Sequence, residues 1–418
     1  MRTSIAFAIL FRAALAFGQP AIDPEVATDP LPSRGFSLPT NAPAVAMARD
    51  NKGVAVAWMM AGAGGGNRIH VVRLDGTAHF TGAVREIPLF ATYEADASFP
   101  SIAAAPDGNG FTLAWLEAPF YSITVPAPST WNAVFCQLDS DLNPSPPRFL
   151  AEAIRSPVIV RSEKSTWMTA RGLLWEMRPD GSRSDFIIPG PTASDMAIAK
   201  GAPQIAGSQN VVGSFTCSSD PGCTVQGGPF RGFCYQQCRK YQYNYTLQFV
   251  ALYTASASPV FPFLNDASPA VASNGRDVLV GWFSGEQSKG GQVAVARMTP
   301  DSATNVAHAF DQPHVVGNFG PDAGLTRPDI ATDGQRYLIV WRSTMTIGGN
   351  HDILGASIAP DGTVTPLSIA TSSDDERDPS VIALGTGSFL VAYEKLSLGE
   401  RRLAGRTITF DDRRHAVR

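Results

Sequence analysis

Charge of one sign is scarce in this chain: 33 Lys and Arg stand against 37 Asp and Glu over 418 residues, a formal net charge of −4. So weak a field excludes the basic footprint that nucleic acid or an anionic lipid surface requires, and neither is expected as a partner. Histidine is sparse as well. The six residues, at 70, 79, 308, 314, 351 and 415, form no pair at a spacing suited to a metal, so no metal site and no zinc hydrolase is expected. No G-x-S-x-G elbow, phosphate-cradling glycine loop or dinucleotide fingerprint occurs in the strand-to-helix context that each needs, and no cofactor is expected. Long hydrophobic runs are missing too. The apolar stretch from Ser4 to Phe11 is too short to span a bilayer. With Arg2 ahead of it and the small residues Ala14, Ala16 and Gly18 behind, it predicts a signal peptide over 1–18, a linker over 19–34, and a soluble secreted or periplasmic chain without stable membrane insertion.

Cysteine is limited to five residues, and four of them, Cys217, Cys223, Cys234 and Cys238, fall in one stretch. Their spacing of x5, x10 and x3 lacks the two tight pairs usual for structural zinc, and an exported chain meets an oxidising compartment. These four are therefore disulfide candidates. Four cysteines allow three connectivities, and sequence does not choose among them. Cys136 is left over and reads as a buried free thiol.

What the chain does have is 38 Gly, 32 Pro and a repeat. The tripeptide Pro-x-(Val/Ile) starts at Pro43, Pro100, Pro157, Pro203, Pro269, Pro328 and Pro379, at intervals of 57, 57, 46, 66, 59 and 51 residues. Each is followed 10 to 15 residues later by a large aromatic: Trp58, Trp115, Trp167, Phe215, Trp282, Trp341 and Tyr393. A period of this size describes one supersecondary unit copied seven times. The copy from Pro328 is the clearest. Pro328 to Ala331 opens a strand, Asp333-Gly334 turns, and Tyr337 to Trp341 is a continuous apolar run of the kind buried on both faces. Ile353 to Ile358, the turn Asp361-Gly362 and Leu367 to Ala370 complete four antiparallel strands.

These units predict an all-β, seven-bladed β-propeller over 35–410, with four-stranded antiparallel blades and a tail over 411–418. After Pro379 only three strands fit before the tail. The stretch Gly35 to Thr40 is expected to supply the missing outer strand, so that the last blade is closed by the N-terminal strand and no edge is left bare.

In a four-stranded blade the first-to-second and third-to-fourth turns share one face, and the second-to-third loops and interblade links share the other. The first kind is short here. The second kind is long, at 118–131, 217–243, 284–291 and 317–326, and length gathered on one face of a repeat marks a binding face. The Cys-rich insertion 217–243 in blade 4 interleaves aromatics with cations, which suits stacking on sugars or gripping an extended peptide. The candidate binding residues are Tyr121, Trp131, Tyr235, Arg239, Tyr241 and Tyr243. No catalytic residue is assigned. Acids on the same face, Glu94, Asp96, Asp322, Asp374, Asp375, Glu376 and Asp378, leave open an alternative in which paired carboxylates at the central funnel cleave a glycan as a hydrolase or lyase.

The Pro-x-Ile-Ala, Asp-Gly and Leu-Ile-Val-Trp pattern, with Asp352 to Ala356 and Ala359 to Gly362 behind it, resembles secreted bacterial seven-bladed β-propeller repeat proteins of unassigned function. The resemblance implies fold and not activity, so no functional residue comes with it. The expectation for function is an exported, non-enzymatic recognition or scaffold protein whose long-loop face takes a protein, peptide or glycan.

Overall fold

The computed structural model describes residues 20–27, 45–61, 66–75, 77, 79–91, 95–119, 131–153, 157–170, 173–178, 182–187, 193–199, 202–217, 241–254, 257–264, 269–286, 290–298, 313–320, 327–344, 349–398 and 400–410. Among them there is no helix, and so none long and apolar enough to cross a membrane. The strands form seven antiparallel sheets in chain order. Six are four-stranded meanders, and the seventh has three consecutive strands plus a fourth edge from the N-terminus.

The continuous apolar runs follow from how the sheets stack. Successive side chains of a strand point to opposite faces, and both faces are covered. In Tyr337–Thr344, Tyr337, Ile339 and Trp341 join a core shared with the fifth sheet, whereas Leu338 and Val340 join one shared with the seventh. Seven such cores lie between successive sheets, and one of them joins Val54, Val56 and Trp58 of the first sheet to Leu390, Ala392 and Leu403 of the seventh. The first strands, Val45–Asp50, Ala95–Ala104, Val158–Arg161, Ala193–Ala199, Ala270–Ser273, Asp329–Thr332 and Asp375–Gly385, touch in that order, and the last touches the first.

The recurring aromatics whose side chains are described are core residues. Trp58, Trp115, Trp167, Trp282, Trp341 and Tyr393 are all buried, each contributing about 1.5–3 kcal/mol by removal from water. Trp167 differs in that it faces the following sheet, while Trp175 of the next strand fills the core on the preceding side. The Asp-Gly and Asn-Gly turns fall where the sequence puts them, with Gly108, Gly275, Gly334 and Gly362 at positive φ. Cys136 is buried with a free thiol on Trp131–Leu138.

Two expectations need correction. Pro203 does not open the fourth sheet. It lies on the second strand, Ala202–Cys217, opposite Ile198, and the first strand is Ala193–Ala199 with Ser194-Asp195 where other sheets have the proline. Proline at the first turn-proximal position of that strand gives the same local signal as proline at a first strand. The second correction concerns the N-terminal partner of the seventh sheet. It consists of Ala21–Ile22, opposite Thr409 and Ile408, and Val26–Ala27, opposite Gly405 and Ala404. Residues 35–40, expected to hold that place, lie outside the described residues. Between the two short strands Glu25 is tied down: it accepts from the Tyr393 hydroxyl at 2.6 Å and from Lys395 Nζ at 2.7 Å.

Candidate functional site

The fourth sheet carries the feature that sets it apart from the others. Its second and third strands, Ala202–Cys217 and Tyr241–Thr254, pair over their whole length, from Gln204 opposite Thr254 to Cys217 opposite Tyr241. The first strand accompanies this hairpin only as far as Gly207, and the fourth only as far as Phe249. Among the described residues, 210–217 and 241–248 therefore run on as a two-stranded ribbon about 26 Å long at ~3.3 Å per residue. Directly opposed residues share a face of an antiparallel ribbon. Val211, Gly213, Phe215 and Cys217 stand opposite Leu247, Tyr245, Tyr243 and Tyr241 on one face. Asn210, Val212, Ser214 and Thr216 stand opposite Gln248, Thr246, Asn244 and Gln242 on the other. One face is thus rich in tyrosine and apolar residues, and the other is almost wholly hydroxyl and amide.

The candidate binding residues divide accordingly. Tyr241 and Tyr243 sit on the aromatic face of this ribbon, where Tyr245 and Phe215 join them. Tyr121, Tyr235 and Arg239 lie outside the described residues, as do Cys223, Cys234 and Cys238, and Cys217 closes the ribbon. Trp131 occupies a different environment: its side chain is buried in the core between the second and third sheets, with Leu116 and Ile159 among its neighbours, and is not a surface platform.

Polar groups gather at a second place, the axis. Residues on all seven first strands, or just before them, line a cavity of ≈ 190 Å³, room for about six waters at ~30 Å³ each. Its charged members are Asp195, Arg327 and Asp329. Arg327 donates to Asp195 Oδ1 at 2.9 Å, and Asp195 Oδ2 accepts the Val271 amide at 2.9 Å. Asp329 Oδ2 accepts from the Ser380 hydroxyl at 3.0 Å and the Val381 amide at 2.9 Å. Ser101 Oγ takes the Ile159 amide at 3.1 Å. These are one device used three times: a polar side chain on one first strand accepts the amide at the next position of the following sheet. Burial raises the Asp329 pKa, with the Asp195 charge adding to it, against the lowering pull of Arg327 and the bonds from Val381 and Ser380. Burial works against the Arg327 charge, but the two carboxylates outweigh it and raise its pKa. The acids at the axis are thus occupied in joining sheets.

The acids singled out from the sequence do not meet there. Asp96 is buried, accepts the Asn67 amide, and has its pKa raised chiefly by burial. Asp375 bonds His351 Nδ1 at 2.7 Å, Lys395 binds Asp374 Oδ2 at 3.2 Å and lies 4.0 Å from Glu376, and Asp378 sits at a bulge with φ of 50°. Glu94 and Asp322 lie outside the described residues. Asp195, Arg327 and Asp329 are not among the residues that the sequence singles out, although Arg327 and Asp329 flank the repeat anchor Pro328; Asp195 has no such mark, because the fourth anchor falls at Pro203. Among the described residues no group of His, Cys, Asp and Glu could hold a metal.

No protein-family model matches the chain, and no curated protein matches it. Solved structures do. A protein of unknown function from Dyadobacter fermentans superposes with a TM-score of 0.51 at 12% identity, over 94% of this chain and 99% of that one. The β-propeller domain of the Trilobed protease from Pyrococcus furiosus matches with a TM-score of 0.44 at 14% identity, over 89% and 96%. Trypanosoma rangeli sialidase matches with a TM-score of 0.47 at 8% identity, over 93% of this chain and 59% of that one. At such identities the likeness concerns fold alone; the arrangement of sheets described above is what supports a β-propeller.

Proposed function

We propose that this protein is an exported, non-enzymatic recognition or scaffold module: a ring-closed seven-bladed propeller that takes a protein, peptide or glycan on its long-loop face, at the blade 4 ribbon. The observation that carries the reading is the register of that ribbon, which sorts Phe215, Tyr241, Tyr243 and Tyr245 onto one face and hydroxyl and amide residues onto the other. Such a division has no use in a strand buried between sheets. It suits a projecting arm that offers rigid aromatic area at small entropic cost. Closure is supported by the seven shared cores and by the return of the last first-strand onto Val45–Asp50. Export is supported by the N-terminal segment pattern. The glycan-hydrolase alternative has less behind it, because the acids at the axis are spent on interblade bonds around a cavity smaller than one for an oligosaccharide.

The test is binding of the purified mature protein to glycan and peptide arrays, repeated with a Tyr241→Ser/Tyr243→Ser variant. Loss of aromatic stacking should weaken the strongest wild-type ligand by about tenfold or more at an unchanged melting temperature. A ligand held equally by both proteins, or cleavage of an array glycan, would overturn the reading.

A further inference from the structure

The repeats allow one blade to serve as a control for another, and the comparison exposes a site on the opposite, short-turn face. Arg73 and Arg297 occupy the same position in the first and fifth sheets: each lies on the third strand opposite the residue that follows the first buried valine of strand two, Arg73 facing Ala55 and Arg297 facing Leu279. Both reach across to the next sheet in the same way. Arg73 lies over the Phe111 ring at 5.2 Å and donates to the Ser140 carbonyl at 2.7 Å. Arg297 lies over the Tyr337 ring at 5.9 Å and donates to the Pro360 carbonyl at 3.3 Å. Phe111 and Tyr337 each open strand two of their sheet, and Ser140 and Pro360 hold the same place in the following turn.

The difference lies in the first turn of the donor sheet. Asp50 and Asn274 are equivalent, each four residues before the first buried valine of strand two. Each uses Oδ1 to accept two turn amides: Lys52 at 2.9 Å and Gly53 at 3.0 Å for Asp50, Arg276 at 3.0 Å and Asp277 at 2.7 Å for Asn274. In the first sheet the second carboxylate oxygen completes a fork on Arg73, with NH1 to Oδ1 at 2.9 Å and NH2 to Oδ2 at 2.7 Å. In the fifth sheet the atom in that place is the amide nitrogen Nδ2, a donor. Arg297 makes no bond to Asn274, and no described carboxylate lies on it. The fifth sheet borders a groove of ≈ 500 Å³ lined by Asn274, Arg276, Arg297, Gln335 and Tyr337. Asp277 also borders it, but Arg276 grips that carboxylate through Nε at 3.1 Å and NH2 at 2.9 Å. Two guanidinium groups against one carboxylate leave the groove with a net charge of +1.

We infer that this groove between the fifth and sixth sheets binds a single carboxylate, such as the C-terminus of a peptide, which takes the place that the Asp50 side chain holds in the first sheet. The carboxylate accepts from the Arg297 guanidinium and from Asn274 Nδ2, and Arg276 stands at the rim with a side chain 75% exposed. The fork geometry favours a planar carboxylate, for which the first sheet supplies the internal precedent.

The probe is N-acetylalanine, with N-acetylalaninamide as its neutral counterpart and inorganic phosphate as a second anion, titrated at low salt with ligand-observed NMR. Wild-type protein should bind the acid and ignore the amide. Arg297→Gln should weaken binding by about tenfold or more through loss of a charge-assisted bond. Asn274→Asp should weaken it as much by the opposite route, supplying the internal carboxylate, and should raise the melting temperature. If Arg297→Gln fails to fold, Asn274→Asp decides alone. No binding to wild type, binding indifferent to Asn274→Asp, or phosphate held more tightly than the acid would overturn the assignment.

Discussion

Replacing Asp50 with alanine should be among the most damaging single changes on the short-turn face. Its side chain is fully buried and accepts five bonds: two from Arg73, and one each from the amides of Lys52, Gly53 and, at 3.1 Å, Gly110 of the next sheet. Arg73 is only 13% exposed, so the change strands a cation that water reaches poorly. Breaking one side of a buried pair in this way costs about 3–5 kcal/mol. Removing the cation as well, in Asp50→Ala/Arg73→Met, takes away the unmatched charge, so the double variant should lose clearly less than the sum of the two single losses. The pH dependence has a definite sign. Burial alone would raise the Asp50 pKa, but the Arg73 bonds and the Lys52 and Gly110 amides outweigh it and hold the pKa below the ordinary 3.8. A depressed carboxylate contributes stability above its unfolded pKa and loses it as pH falls through the folded one. The gap between wild type and Asp50→Ala should therefore be constant from neutral pH to about 5 and shrink below about 4. Urea titrations followed by tryptophan fluorescence read both effects. A single-variant loss under about 1 kcal/mol, or strictly additive single losses, would refute the reasoning.

At the axis, Asp195→Asn should cost about 3–5 kcal/mol because Arg327 loses the carboxylate it bonds, whereas Asp329→Asn should cost about 1 kcal/mol, since burial already disfavours the charge on Asp329. The folded pKa of Asp329 is raised, so wild type should lose stability relative to Asp329→Asn as pH rises from 3.8 through that folded value, and parallel denaturation curves would show it. Cys136 should resist maleimide in the native protein and react once unfolded, because burial pushes its thiol up to about 12; rapid native labelling counted by mass spectrometry would contradict the buried placement.

How far the sequence speaks depends on the range of the interaction. Strands buried on both faces, as at Tyr337–Thr344, announce themselves through unbroken apolar runs, and tight turns through Asp-Gly and Asn-Gly, because both are local requirements. The signal fails where partners are remote. Two-residue strands such as Ala21–Ile22 carry no pattern of their own, so the sequence points to 35–40 for the N-terminal partner instead. Proline at 203 imitates a strand opening because a hairpin exit tolerates a missing amide donor as readily as a first strand does. Trp131 follows a long loop and reads as exposed, yet the strand parity of Trp131–Leu138 turns it inward. The importance of Asn274 is invisible in the linear chain. It emerges only when register sets it beside Asp50.

The pairing of Ala21 with Thr409 has a temporal side. The Ala21 segment is made long before its partner exists, and the entropy of joining positions so far apart along the chain is met only once Thr409 has been added. Until that moment the strand Glu400–Thr409 does not exist to cover its neighbour, and six finished sheets stand with an unguarded flank. Newly made chains should thus be most prone to sticking together in the interval before Glu400–Thr409 emerges, and a premature stop near residue 400 should leave a largely formed but adhesive particle.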